Sequence, residues 1–483
     1  MSGKHSNTKL KRRRFFLVLI LVFAVLMGVV SIAMDKLPAL AETLSQKSGE
    51  MASNDKHDDK PGIDKENDPY NGQQEPVDPA AEGNTAAENE PGESGAAAEE
   101  PAAAEPVEPQ LTTLRIRCAG DVMAHDSQLK AAKTSDGYSF DSWFEYVKPY
   151  LEDADVTLIN VETTFPGSEY HGYPSFRSPD QLAETVAGLG TDVAIYANNH
   201  MLDSGKSGFE RSVGLMRDLG LEVCGGYLEG EEKTWTIVET ADGVKLGVVA
   251  YCYENFEQNG HRCLNGCYIP SSLEPTINSF RYYNEGDMAE IKATIDACRA
   301  DGADIVMAFM HWGEEYFIDP MKSQQDLAQT VVDCGVDFVI GSHPHVPEGI
   351  TWLTNKEGKE VPVYYSLGNF VSNQRTETMG STQNKVHTEE GLIANVELTY
   401  NHETGEVTFN DISAIPCWVE KYTKSGSSVP NYWIIPLVEG YENNPELNAS
   451  GHLSRAAQAL ANISKIIGED HVWKGTDSRK EKE

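Results

Sequence analysis

Two histidines separated by one proline, in Gly341-Ser-His-Pro-His-Val-Pro347, are the residues of this chain most able to do chemistry. Pro344 forbids a helix, so the spacing predicts an extended turn with His343 and His345 pointing to one side. The run Val336-Asp-Phe-Val-Ile340 just before it reads as a buried strand. Neutral imidazoles at the end of a core strand are strong ligands for first-row divalent metals. The alternative is a polar turn with two solvated rings.

Four more apolar runs end in ligand-type residues. Leu114–Cys118 leads to Asp121, and Val156–Val161 closes on Glu162. Asp192–Tyr196 runs into Asn198-Asn-His200 and Asp203, and Asp304–Met310 delivers His311. Each alone is as readily a helix cap or a solvated strand end. Together they point to one rim, because sites in layered α/β proteins gather at the C-terminal ends of strands.

The elements that must position these groups alternate along the chain, as α/β layers require. Helices are expected over 140–151, 179–189, 209–219, 287–300, 319–334 and 453–466. Strands 234–239 and 245–251 flank Asp242-Gly243, a strong hairpin signal. Residues 254–286 read as a long loop, a lid or partner surface. Further strands are expected over 361–366, 392–400 and 406–412.

The N-terminal third has another character. Residues 1–14 are basic and are expected in the cytoplasm, and the uncharged run 15–34 is long enough to cross a ~30 Å hydrocarbon core. Its length favours a retained signal anchor over a signal peptide cut after Ala41. Residues 42–110 carry 18 acids against 4 bases and almost no large apolar side chain, so a disordered linker is expected. Residues 111–483 hold −28 of the formal net charge of −36. Such a surface argues against nucleic acid, and an anionic ligand would need a metal or a placed arginine. Cys118, Cys252 and Cys334 read as buried thiols, and Cys263 and Cys267 could pair outside the membrane.

Six motifs in order resemble the capsule-synthesis CapA family, a branch of the calcineurin-like metallophosphatase superfamily. They are Gly120-Asp-Val-Met123, Asn160-Val-Glu162, Asn198-Asn-His200 with Asp203, His311-Trp-Gly-Glu-Glu-Tyr316, Gly341-Ser-His-Pro-His-Val346 and Tyr365-Ser-Leu-Gly-Asn-Phe370. The resemblance implies an α-β-β-α metallophosphatase-like sandwich over 111–420, with a C-terminal extension over 421–483. It implies two divalent metal ions (manganese, zinc or iron). Asp121 and His345 would hold the first, Asn199, His311 and His343 the second, and Glu162 would bridge them. His200 would be the proton donor, and Arg177 a clamp for carboxylate or phosphate, or else a surface ion pair. Met123 stands where the superfamily has a ligating histidine, and His125 is either its replacement or a surface residue.

The implied role is a single-pass membrane protein with an extracellular domain, acting in poly-γ-glutamate synthesis or export. Its implied partners are membrane subunits of a capsule polymer synthase and the anionic polymer. A secreted metal-dependent phosphoesterase and a metal-bound scaffold without turnover are the alternatives.

Overall fold

The computed structural model describes residues 110–475 except 256, 258 and 259. The segments 1–14 and 15–34, and the linker up to residue 109, lie outside the described residues. Among the described residues no helix is long and apolar enough to cross a membrane.

The strands, in chain order, are β1 Leu111–Val122, β2 Val156–Val161, β3 Val193–Ile195, β4 Glu222–Cys224, β5 Thr236–Glu239 and β6 Lys245–Tyr253. Next come β7 Cys263–Leu264, β8 Cys267–Tyr268, β9 Ser279–Phe280, β10 Ile305–His311, β11 Phe338–Ser342 and β12 Ile350–Thr354. The series ends with β13 Glu360–Tyr364, β14 Asn369–Val371, β15 Glu390–Asn401, β16 Val407–Tyr422 and β17 Asn431–Pro436. They build an eight-stranded sheet in the order β17-β16-β15-β1-β2-β3-β4, with β14 beside β1. A seven-stranded sheet runs β12-β13-β11-β10-β6-β5, with β9 beside β6. Parallel strands β1 to β4 form one half of the chemistry, and parallel β6, β10, β11 and β13 the other.

Strand β10 shows how the layers are sorted. Ile305, Met307 and Phe309 join the large core that also holds Ile116 and Leu158 of the first sheet. Val306, Ala308 and Met310, one step out of phase, pack with Ile291, Ile295, Leu327 and Val331 of helices Glu285–Ala300 and Lys322–Val332. Period-2 alternation thus assigns one face to the opposing sheet and one to the helices. The same phase puts His311 of β10 and Ser342 of β11 on the side facing the first sheet.

Two glycines permit the strand ends to approach. A Cβ on Gly120 would lie 2.0 Å from Gly368 O, where β1 exchanges its antiparallel partner β15 for β14. A Cβ on Gly341 would lie 2.1 Å from Tyr365 O.

Several expectations change. The helix over 140–151 is two short ones, Asp141–Phe144 and Lys148–Glu152, because Pro149 lacks an N–H and is accommodated in the first turn of the second. The 254–286 loop contains the β7–β8 hairpin and β9; Asn265-Gly266 at the turn is the signal that was available. Cys263 and Cys267 are free: in that hairpin Cys263 faces Tyr268 and Leu264 faces Cys267. Cys334 is only partly buried. The first sheet runs across residue 420, since β16 extends to Tyr422 and β17 pairs with it.

Candidate metal centre

His343 and His345 do not sit in an extended turn. Both have positive φ, 101° and 58°, on either side of Pro344. This costs backbone energy at non-glycine positions and folds the loop so that the ring centroids are 5.8 Å apart. The side chain of Asn369, at the start of β14, donates to His345 O at 3.1 Å and to Thr388 O at 3.0 Å, tying the loop to the first sheet.

The remaining groups arrive from strand ends of both sheets. Asp121 ends β1 and Glu162 follows β2; both are fully buried. Asn160 Nδ2 donates to Asp121 Oδ1 at 2.8 Å and to Glu162 Oε2 at 3.3 Å, holding the two carboxylates together. His345 Nδ1 meets Asp121 Oδ2 at 3.0 Å. His311 Nδ1 bonds Ser342 Oγ at 2.9 Å, which turns its Nε2 toward Asn199 Oδ1 at 3.1 Å. The His343 ring lies 4.9 Å from that of His311, and the Tyr253 ring covers it at 4.6 Å.

One atom sits at the middle of this array. Glu162 Oε1 is buried and has no hydrogen-bond partner, as is His343 Nδ1. Three imidazole Nε2 atoms surround Glu162 Oε1, from His311 at 3.7 Å, His345 at 3.9 Å and His200 at 4.0 Å. Those separations are too long for hydrogen bonds. They suit ligands of a shared cation, because two ligands each ~2.1 Å from an ion are at most ~4.2 Å apart. Two sets of ligand atoms, each lying within 4.8 Å of one another, could hold an ion: Asp121, Glu162 and His345, and Glu162, His311 and His343. Nitrogen and oxygen donors without thiolate are the chemistry of zinc, manganese or iron.

The electrostatics point the same way. Burial, and then the charge of Asp121, push the Glu162 carboxyl well above the usual range. Burial, and then the neighbouring imidazoles, hold His311 and His343 well below theirs, so both stay neutral with lone pairs to donate. Burial opposes charge on His345, but its hydrogen bond to Asp121, the Asp121 charge and smaller contributions from Glu315 and Asn369 together outweigh this and raise it.

His200 stands at the edge of the cluster. Its Nδ1 bonds Asp203 Oδ2 at 2.7 Å, and Asp203 Oδ2 also accepts the Phe176 N–H. The Phe176 ring packs edge-on against His200, with centroids 4.7 Å apart. Arg177, the next residue, is not brought to the cluster; its guanidinium lies 3.5 Å from Glu169 on the 163–179 segment. Met123 is buried, its N–H bonded to Val371 O. His125 is half-buried and belongs to neither ligand set. Its Nδ1 accepts the Asn373 N–H at 3.2 Å and its ring packs on Phe176. Asn160, Ser342 and Asn369 lay within the motifs, but their roles as supports appear only from the register of β1, β2, β10, β11 and β14.

With this geometry in hand, the comparisons with known proteins are specific. The profile of the bacterial capsule synthesis protein PGA_cap matches residues 115–374, more than half of the chain and every ligand described above. A capsule biosynthesis protein CapA of Bacillus anthracis is 27% identical over 250 residues, 49% of this chain and 55% of that protein. A PGA biosynthesis protein CapA of Bacillus subtilis (strain 168) is 25% identical over 278 residues, 55% of this chain and 66% of that protein. The chain therefore spans less than two thirds of either curated relative. A phosphatase structure from Mycoplasma pneumoniae aligns over 64% of this chain and 94% of its own at 14% identity, with a TM-score of 0.34. On the strength of the profile match, this chain belongs to the bacterial capsule synthesis PGA_cap family.

Proposed function

We propose that this protein is a CapA-like accessory protein of poly-γ-glutamate capsule synthesis or export that works through a two-metal centre. The family match is the single observation that carries the reading. In this reading residues 15–34 anchor the chain in the cell membrane and 42–110 hold an extracellular α-β-β-α domain away from it. Its partners are membrane subunits of the polymer synthase and the anionic polymer.

Asp121, Glu162 and His345 would hold one divalent cation, and Glu162, His311, His343 and Asn199 a second. Such ions supply Lewis acidity and lower the pKa of a bound water. The protein's own groups do the rest. Asn160 fixes both carboxylates, and Ser342 fixes the orientation of the His311 ring so that Nε2 faces the ligand set. With Asp203 on Nδ1, His200 presents Nε2 toward Glu162, where it can give a proton to a leaving group.

That His200–Asp203 pair favours a second reading, a metal-dependent phosphoesterase, for which a proton donor is required. Complementation of a capsule-deficient deletion strain separates the two. The first reading expects Glu162→Ala and His343→Ala to abolish polymer while purified wild type leaves a generic phosphodiester intact with manganese. Turnover of that ester, lost in His200→Ala with polymer levels unaffected, would replace it by the second.

A further inference from the structure

A cleft of about 460 Å³ opens beside the Asp121–His345 side of the centre. Its wall is continuous with the ligand loop. The Tyr316 ring lies 6.1 Å from that of His345, and Gln374 links Tyr316 Oη to the Asn369 amide that holds His345.

The charge in this cleft is of one sign. Glu315 is its only acidic side chain; it is exposed and has no cationic partner among the described residues. No lysine or arginine lines the cleft. Two lysines near its rim are occupied: Lys421 donates to Asn373 Oδ1 at 2.7 Å and lies over the Tyr432 ring, and Lys385 donates to Gly380 O at 2.5 Å. His125 lines the cleft as a neutral ring, since burial pushes its pKa down to about 4. A substrate carboxylate placed against Glu315 would find no lysine or arginine in the lining to offset that charge.

The remaining lining suits the opposite charge. Two tyrosine rings line the same cleft, Tyr316, next in sequence to Glu315, and Tyr173, 72% exposed. A carboxylate between aromatic faces is a site for an ammonium group. Asn373 Oδ1 already accepts from Lys421 and Tyr432, so its amide N–H groups remain to donate to a carbonyl. The volume fits one or two residues of a polyamide.

We infer that this cleft seats the free amino end of the polymer, its ammonium on Glu315 between Tyr173 and Tyr316, and its first amide carbonyl on Asn373. The inference rests on the polymer reading above. It makes the centre act on chain ends, with the polymer's carboxylates turned away from the cleft.

Calorimetric titration of the full-length protein, loaded with manganese, tests it with γ-linked glutamate tetramers bearing either a free or an acetylated amino terminus. The expected result is about tenfold tighter binding of the free amine, falling to within about twofold in Glu315→Gln. Tyr173→Ala, at an exposed ring, should weaken the free amine by about threefold relative to the acetylated form. Equal binding of both tetramers to wild type overturns the subsite and leaves the polymer reading standing. A preference that persists undiminished in Glu315→Gln also overturns it. If neither tetramer binds, the polymer reading itself falls, and the subsite with it. The wild-type comparison needs no variant, so misfolding of a substituted chain does not protect the proposal.

Discussion

The two halves of the centre share Glu162 and differ in almost everything else. The His311–His343 half is built of neutral imidazoles, with His311 held by a hydroxyl and a side-chain amide. The Asp121–His345 half is a hydrogen-bonded carboxylate–imidazole pair that already satisfies part of its own charge. A cation entering the first half meets free lone pairs. One entering the second competes with a proton for His345. In the two-metal reading, a single carboxylate would serve two sites of unequal affinity, the difference residing in what the neighbouring histidine is bonded to.

The largest effect is expected at the shared ligand. In the two-metal reading, Glu162→Ala should reduce metal content from two ions per chain to none, measured by elemental analysis of purified protein. One ion retained would mean the halves are independent. Asp121→Ala and His343→Ala should each leave a single ion, of different kinds: the imidazole-rich ion survives the first change and is lost in the second. On acidification the Asp121–His345 half should empty first. Its imidazole pKa lies above 6.5 and those of His311 and His343 well below it, so protons displace the metal there at higher pH. Simultaneous release would erase the distinction.

Glu348, three residues beyond His345, separates burial from charge crowding. It is fully buried, accepts from Gln324 Nε2 at 2.6 Å, and burial raises its pKa from 4.5 to about 8. Between those values the folded state binds one more proton than the unfolded, so this group's contribution to stability falls as pH rises and is flat outside that window. Glu348→Gln should therefore be more stable than wild type by ~3–5 kcal/mol at pH 8.5 and about equal at pH 4.5 in urea unfolding. An equal gain at both would assign the effect to packing.

Smaller again, Asn160→Ala should weaken metal affinity by about 10–100-fold through loss of carboxylate positioning, and more in the Asp121–His345 half, where the bond is 2.8 Å. Last, Arg177→Ala should leave metal content alone and change stability by less than ~1 kcal/mol, as for a loose ion pair between a half-buried arginine and an exposed glutamate. Loss of metal in that variant would return Arg177 to the site.

How much of this was legible in sequence follows from the range of the forces involved. Apolar runs and the polar residues ending them are local signals, so Asp121, Glu162, His311 and the 341–347 loop stood out as strand ends. Their convergence rests on parallel register, such as His311 beside Ser342 and Cys252, which no local pattern encodes. The left-handed backbone of His343 and His345 was hidden for the same reason: it is imposed by Tyr316 and Asn369 contacts from distant segments. Arg177 attracted attention by its chemistry, yet its neighbour Phe176 is the residue that faces His200. Glu315 lay inside a motif, but the opposing 373–382 wall that gives it meaning belongs to another stretch of chain.

The contact between Asp121 and His345 joins residues 224 positions apart. An unfolded or half-synthesised chain therefore offers no pocket that could trap a cation, and closing so long a loop comes late in assembly. Metal uptake would then report that both sheets have docked, and a chelator added during refolding should block loading without delaying the collapse that precedes it.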